Sequence, residues 1–154
     1  SAKFKLDSSE IVTSLVQGTF PDYGKLIPEN QSTVITVDSE KIKQASRAAS
    51  IFARDGSNIV RFVVEKNDES ENDSVVKVLS KAEEMGENEN SITAIVSGPA
   101  TKVAFNSKFL LDVLNVLDGK ELIIEADSSS SPGVFRSESN PEYKHIVMPM
   151  FVQW

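Results

Sequence analysis

The order of predicted elements occurs twice in this chain, and this repeat limits the folds open to it more than any other feature. In each copy a short apolar run leads to a polar residue that is favoured at a helix start, Asp38 in the first and Asn106 in the second. A helical pattern then extends to about Ala53 and to about Leu117. Placing Asp38 on Asn106 superimposes two strand–helix–strands units about 68 residues apart, so we expect a duplicated architecture.

Strand-like runs flank both helices. Short units with one helix and several antiparallel strands predict an α+β fold, in which two helices pack on one face of a curved antiparallel sheet. Residues 3–17 add a predicted β-hairpin. Because two strands cannot bury a core alone, we expect the chain to be a piece of a larger protein. The predicted strands are 34–37, 58–65, 74–81 and 91–97 in the first unit, and 101–105, 121–126, 132–136 and 144–151 in the second.

The composition argues against several classes of function. Hydrophobic residues make up 40% of the chain and charged residues 25%, which is ordinary for a globular protein. No apolar run approaches the roughly 20 residues of a membrane span, and no signal segment opens the chain. The lack of cysteine excludes disulfides and thiolate zinc sites and agrees with a cytoplasmic location. The one histidine, His145, is expected on an edge strand with a solvent-facing ring, so histidine triads and multi-histidine metal sites are not expected.

The net charge of −7 argues at first against a nucleic acid partner. The acidic residues are concentrated, however, in two short polar stretches that we interpret as solvated loops or hairpin tips. The calcium-loop pattern is absent from both, so we expect no metal site. The stretches contain Glu65, Asp68, Glu69, Glu71 and Asp73, and then Glu83, Glu84, Glu87 and Glu89.

The two predicted helices present different surfaces. The exposed face of the first is expected to be cationic or neutral, although an ordinary solvated face stays an alternative. The second helix is apolar, with a narrow polar stripe that is close to neutral. In the first helix the core stripe is Ile42, Ala45, Ala49 and Phe52 and the opposite stripe is Lys43, Arg47, Ser50 and Arg54; in the second the polar stripe is Lys108, Asp112 and Asn115.

The chain ends on an almost uninterrupted apolar run after Tyr143. Chain ends are normally polar and poorly ordered. This run is therefore expected to pack as a buried strand, to be held by a partner, or to line a groove for one. Met148 and Met150, on either side of Pro149, suit either a core or an adaptable binding surface.

Three segments carry a resemblance to a known family. They are residues 18–28 (GTFPDYGKLIP), residues 105–117 and residues 146–150 (IVMPM). In order and spacing they resemble the bacterial DNA polymerase III β subunit, the replicative sliding clamp. The resemblance implies a DNA clamp fold, with residues 1–28 as the end of the middle domain and the interdomain linker, and residues 29–154 as the third, C-terminal domain.

The resemblance also implies a function without catalysis or cofactors. Full-length members are head-to-tail homodimeric rings that encircle double-stranded DNA. They tether the DNA polymerase III α subunit, the clamp-loader δ subunit and other proteins with a clamp-binding motif. A positive channel wall attracts phosphates without reading bases. The DNA-facing residues would be Lys43, Arg47 and Arg54, and the ring dimer interface would be Ser50, Ile51 and Phe52, with an exposed edge strand at 59–64.

Family members bind peptides rich in Gln, Leu and Phe in a groove between the middle and third domains, and the motifs carry this groove over to this chain. Lys25 stands at a position where family members often have arginine. A peptide carboxylate or carbonyl would therefore lose a bidentate donor. Residues 151–154 depart from the family pattern, and three roles stay open for them: extending the groove, covering it or packing beneath it. The groove residues would be Pro21, Lys25, Leu26, Asn106, Phe109, Ser131, Pro132, Ile146, Val147, Met148, Pro149 and Met150.

Two other functions compete with the clamp interpretation. A stand-alone peptide-binding module without a DNA role would share the groove, and its basic stripe would be an ordinary solvated face. A hydrolase would need paired carboxylates, from Glu83 and Glu84 or from Asp127, in a pocket that raises a pKa. Nothing in the sequence converges on such a pocket, so the clamp interpretation is favoured.

Overall fold

A computed structural model describes residues 1–20, 22–28, 31–55, 57–82 and 86–154. None of the helices in these ranges is long and apolar enough to cross a membrane. The α-helices are α1 (Ser39–Ala53) and α2 (Ser107–Val116). The strands are β1 (Ala2–Lys5), β2 (Glu10–Thr13), β3 (Thr33–Asp38), β4 (Ile59–Glu65), β5 (Ser74–Ala82), β6 (Gly86–Ser97), β7 (Thr101–Asn106), β8 (Glu121–Ala126), β9 (Gly133–Ser137) and β10 (Asn140–Val147).

The predicted duplication is confirmed by the order of elements and by the sheet. One unit is β3-α1-β4-β5-β6 and the other is β7-α2-β8-β9-β10. They share an eight-stranded antiparallel sheet with the order β10-β9-β8-β3-β6-β5-β4-β7. The first strand of each unit pairs with the strand after the helix of the other unit, β3 with β8 and β7 with β4. The two units are therefore interlocked and share one core.

Both helices begin where the sequence predicts. The Asp38 side chain accepts a hydrogen bond from the Lys41 N–H at 2.9 Å, and the Asn106 side chain accepts one from the Lys108 N–H at 3.0 Å. Each bond satisfies one of the N–H groups that a helix start leaves without a partner. α1 packs against α2 and against β5 and β6, which puts the small buried residues of α1 against the sheet.

An aromatic column connects the two ends of the curved sheet. Phe105 of β7 packs edge-to-face on Phe62 of β4 at 5.7 Å and on Phe135 of β9 at 5.5 Å between ring centroids. Strand β9 lies near one end of the sheet and β7 forms the other end. The contact between Phe105 and Phe135 therefore shows that the sheet curls until its ends meet. A Cβ on Gly133 would lie 2.6 Å from the Phe105 ring, so this junction has no spare room.

The exposed face of α1 differs from the prediction. Ser50, predicted on the exposed stripe, is buried, and its hydroxyl donates to the Arg47 carbonyl at 2.7 Å. Phe52, predicted in the core, is only half-buried. Ile42, Ala45 and Ala49 are buried as predicted, but the buried face is wider and extends to Ser46 and Ser50, because small side chains let the helix approach its neighbours closely. The exposed positions are Glu40, Lys41, Gln44, Arg47, Ile51 and Arg54, so the stripe is not purely cationic or neutral.

Two strand predictions are also wrong. The segment 59–64 is not an edge, because β4 pairs with β5 on one side and with β7 on the other. The last strand is β10, Asn140–Val147, rather than 144–151. Pro149 lacks an N–H and cannot donate to a ladder, so the chain leaves the strand after Val147. An open edge occurs instead in the first part of β6, which pairs with β5 only among the described strands; pairing with β3 begins at Ala94.

The predicted hairpin at the start of the chain is confirmed as β1 and β2, which form a separate two-stranded sheet. Its apolar side chains Phe4, Ile11 and Val12 are exposed. A 3-10 turn, Tyr23–Leu26, follows before the chain enters β3.

Candidate functional site

An apolar cavity of about 340 Å³ lies between α2 and the end of β10. Phe109 and Met148 are 60% and 58% exposed at this cavity, although large apolar side chains are usually buried. Phe109 is placed by the first turn of α2, and Met148 by the exit of the chain from β10. The lining residues are Phe109, Asp112, His145, Ile146, Val147 and Met148.

A second cavity, of about 380 Å³, lies between the 3-10 turn and the loop before β9. Two side-chain contacts hold its walls together: the Gln31 amide donates to the Pro132 carbonyl at 3.2 Å, and the Ser32 hydroxyl donates to Asp127 at 2.5 Å. The lining residues are Lys25, Leu26, Pro28, Gln31, Asp127, Ser131 and Pro132.

The pairing of β9 with β10 places the two cavities next to each other. Val147 is opposite Gly133, so Met148, which lines the first cavity, comes beside Pro132, which lines the second. Beyond this point the Met150 N–H donates to the Ala104 carbonyl of β7 at 2.7 Å. The segment that follows β10 therefore bridges the two ends of the sheet and is fixed at both ends.

The structure brings together most of the predicted groove residues, in two groups. Phe109, Ile146, Val147 and Met148 line the first cavity, and Lys25, Leu26, Ser131 and Pro132 line the second. Three predicted residues line neither cavity: Asn106 caps α2, and Pro149 and Met150 are half-buried beside the first group. Pro21 lies outside the described residues.

Sequence reasoning missed two polar residues of the first cavity, Asp112 and His145. The His145 ring was expected to face solvent, but it lies in the cavity wall with Nδ1 2.9 Å from the Tyr143 hydroxyl. Burial lowers the pKa of His145, and the Asp112 carboxylate opposes part of this shift. The sequence did contain a signal for both residues. His145 and Val147 are two positions apart and so share one face of a strand, and Asp112 follows Phe109 by about one helical turn and so shares its face of the helix. Pro28, Gln31 and Asp127 were likewise missed as walls of the second cavity.

The predicted DNA-facing cations lie on and just after α1. Arg47 donates to the Asn115 side chain at 3.2 Å and so connects α1 to α2. Arg54 is exposed directly after the helix, and Lys43 is half-buried. On β5, by contrast, Lys77 and Lys81 pair with Glu65 at 2.6 Å and Glu87 at 3.2 Å.

The predicted dimer residues differ in accessibility. Ile51 is 53% exposed, Phe52 is half-buried, and Ser50 is buried within the chain. Ile51 is therefore the residue of the three that is best placed to meet a partner.

Residues 151–154 run along β7 and leave both cavities open. Lys102 of β7 lies over the Trp154 ring, with Nζ 5.8 Å from the ring centroid. Phe151 is 84% exposed and lines neither cavity.

The residues proposed for hydrolysis do not form a paired site in the described ranges. Asp127 is exposed and accepts the Ser32 hydroxyl, while Glu83 and Glu84 lie outside those ranges. The described residues also contain no group of three or more histidine, aspartate or glutamate side chains that could hold a metal ion.

Comparison with known proteins agrees with this geometry. Residues 24–151 match the family described as "DNA polymerase III beta subunit, C-terminal domain". The chain is 28% identical over 148 residues to the beta sliding clamp of Staphylococcus aureus strain Mu50 and to that of Bacillus subtilis, covering 96% of this chain and 38% of each relative. It thus spans about two fifths of their length.

Solved structures agree on the fold. The DNA polymerase III β subunit of Thermotoga maritima superimposes with a TM-score of 0.81 at 28% identity, covering 98% of this chain and 39% of that one. The sliding clamp of Bacillus subtilis gives 0.79 at 25% identity, with 98% and 39% covered. The expected DNA clamp fold, α+β with two helices on a curled antiparallel sheet, is confirmed. The chain belongs to the family of C-terminal domains of the DNA polymerase III β subunit.

Proposed function

We propose that the protein to which this chain belongs is a DNA sliding clamp, a processivity factor without catalytic activity. It encircles duplex DNA without reading sequence and tethers a polymerase and other replication and repair proteins. The observation that carries this proposal is the apolar groove. Phe109 and Met148, distant in sequence, stand exposed around one cavity in a domain of the sliding-clamp family.

The groove is the point of tethering. Each of the two adjacent cavities has the volume to hold one or two apolar side chains of a short linear peptide rich in Gln, Leu and Phe. Met148 adapts its unbranched side chain to different anchors, so one groove serves several partners. Lys25, whose Nζ lies 3.4 Å from an exposed Asp22 carboxylate oxygen, lines the second cavity and offers a single charged donor to a peptide carbonyl or carboxylate. The partners are the polymerase α subunit, the clamp-loader δ subunit and other proteins with this motif.

DNA is held by charge alone. In the proposal Lys43, Arg47 and Arg54 face the duplex and attract phosphates, and the acidic residues of the chain other than Glu40 lie outside α1. Duplex DNA then moves freely past the wall, because phosphate contacts repeat along the helix and carry no sequence information. The net charge of −7 does not oppose this role, since local charge decides the contact.

The proposed assembly is a ring of multidomain subunits. Residues 1–28 end a middle domain and provide the linker, and residues 29–154 form the third domain. The full protein is a cytoplasmic homodimeric ring, and two features support a partner interface on this domain: the exposed Ile51 side chain and the open first part of β6.

A peptide titration tests the groove in the chain as it stands. Binding of a Gln-Leu-x-Leu-Phe peptide is measured by calorimetry for the wild type and for the Met148→Ala/Met150→Ala variant. Loss of the Met148 wall of the first cavity, together with the half-buried Met150 beside it, is expected to weaken binding by roughly 2–4 kcal/mol. Ile95→Ala, which removes a half-exposed apolar side chain from β6, is the matched control and should bind as the wild type does. Equal affinity in a folded double variant would refute the groove.

A further inference from the structure

The first cavity combines apolar walls with one uncompensated negative charge. Asp112 lines it from α2, about one turn after Phe109, and Met148 faces it from the tail. Lys108 lies one turn before Asp112, but the ion pairs of the described residues do not include one between them. The carboxylate is therefore available to an incoming group.

His145 is the other titratable residue of the wall, and it is neutral near pH 7. Burial lowers the pKa of His145 below its ordinary value, while Asp112 acts in the opposite direction. Its own strand contributes Tyr143, whose hydroxyl is 2.9 Å from Nδ1. On the neighbouring strand β9 the residue opposite it is the uncharged Phe135. Near neutral pH the cavity thus carries the single charge of Asp112, and in acid it becomes neutral when the imidazolium forms.

We propose that Asp112 makes the groove select partner peptides that carry a lysine or arginine next to the apolar anchor, and that protonated His145 cancels this selection. The inference rests on the proposed function, since it assumes that a peptide occupies the groove. The aliphatic stem of a lysine or arginine packs on Phe109 and Met148, while its charged head reaches the carboxylate. The Phe109 ring adds attraction for the cation.

Charge complementarity identifies this occupant. An acidic residue at the same position would meet Asp112 as a like charge in a partly desolvated wall. A purely apolar residue would fill the space but leave the carboxylate without a partner. Because the carboxylate is exposed, we expect the basic residue to improve affinity only about 2- to 5-fold, the range of solvent-exposed ion pairs.

The test uses peptides that differ in one charge. A Gln-Leu-x-Leu-Phe peptide is made with lysine or with norleucine, its uncharged counterpart, at each position flanking the Leu-Phe anchor. We expect the lysine peptide to bind the wild type about 2- to 5-fold more tightly at one flanking position. The preference should vanish in Asp112→Asn. In the wild type the preference should shrink as the pH is lowered and His145 takes up a proton, whereas in His145→Gln it should persist over the same pH range.

The outcomes separate this inference from the groove itself. Equal affinity of the lysine and norleucine peptides at every position would overturn the role of Asp112, even if both peptides depended on Met148. If the preference for the lysine peptide decreased in acid by the same factor in His145→Gln as in the wild type, the role of His145 would be overturned. If the norleucine peptide bound the Met148→Ala/Met150→Ala variant as well as the wild type, the groove and this inference would both fail.

Discussion

The junction between the two ends of the sheet makes a sharp prediction at Gly133. In Gly133→Ala the new Cβ would lie 2.6 and 2.9 Å from two atoms of the Phe105 ring and 3.3 Å from the Phe135 ring. Carbon atoms in ordinary contact are about 3.5–4.0 Å apart, so the Phe105 ring must withdraw by close to 1 Å. It has no free space, because it is fully buried between Phe62 and Phe135.

The size of the effect follows from overpacking. An added methyl group in a well-packed core costs about 1–3 kcal/mol. For a chain of this length that corresponds to a decrease in Tm of roughly 2–12 °C. Gly24→Ala is the matched control: its Cβ meets only the far end of the exposed Asp22 side chain, at 3.3 Å. We expect the control to change stability by less than about 0.5 kcal/mol.

The assay is urea unfolding of both variants, followed by a double-mutant cycle. Phe105→Leu replaces the ring with a smaller side chain and makes room for the new methyl group. Gly133→Ala should therefore lower the free energy of unfolding by less in the Phe105→Leu variant than in the wild type. We expect a coupling free energy of at least about 0.5 kcal/mol. A Gly133→Ala variant as stable as the Gly24→Ala control, or a cycle without coupling, would refute the proposed closure of the sheet through this contact.

Two further predictions concern the first helix. Asp38→Ala removes the side-chain acceptor for the Lys41 N–H and should lower the free energy of unfolding by about 1 kcal/mol, measured in urea; no change would contradict its role as the cap. Replacing Lys43 and Arg54 with glutamine should make the dependence of duplex-DNA binding on salt shallower by roughly 2 in the slope of log K against log salt concentration. The control replaces Lys77 and Lys81, which pair with carboxylates on β5, and should leave the slope unchanged; equal effects of the two pairs would support an ordinary solvated face on α1.

Local signals were sufficient for the order of elements but not for the arrangement of strands. Asp38 and Asn106 marked both helix starts because capping depends on neighbours within a turn. The interior position of β4 depends on pairing with β7, about forty residues later, which no local pattern encodes. The extent of the buried face of α1 was mispredicted because its second half is rich in alanine and serine, which give little contrast between core and surface. For this reason Ser50, expected on the surface, is buried, and Phe52, expected in the core, is only half-buried.

The candidate site shows the same division. The family motifs identified the segments that meet at the two cavities, including residues more than a hundred positions apart. They did not identify Asp112 or His145, because their placement depends on how β10 lies against α2. The prediction placed that strand at 144–151 and expected His145 on an edge strand with a solvent-facing ring. With the strand at Asn140–Val147, His145 and Val147 fall on the side that faces α2.

The most direct test of the groove locates a bound peptide on Met148 and Met150. Isotope-labelled methionine methyl groups give one NMR signal for each of the three methionines, and single substitutions to leucine assign them. We predict that a Gln-Leu-x-Leu-Phe peptide shifts the Met148 and Met150 signals, with saturation at the Kd found by calorimetry, and that a scrambled peptide does not. Binding detected by calorimetry while both signals stay in place would contradict the account.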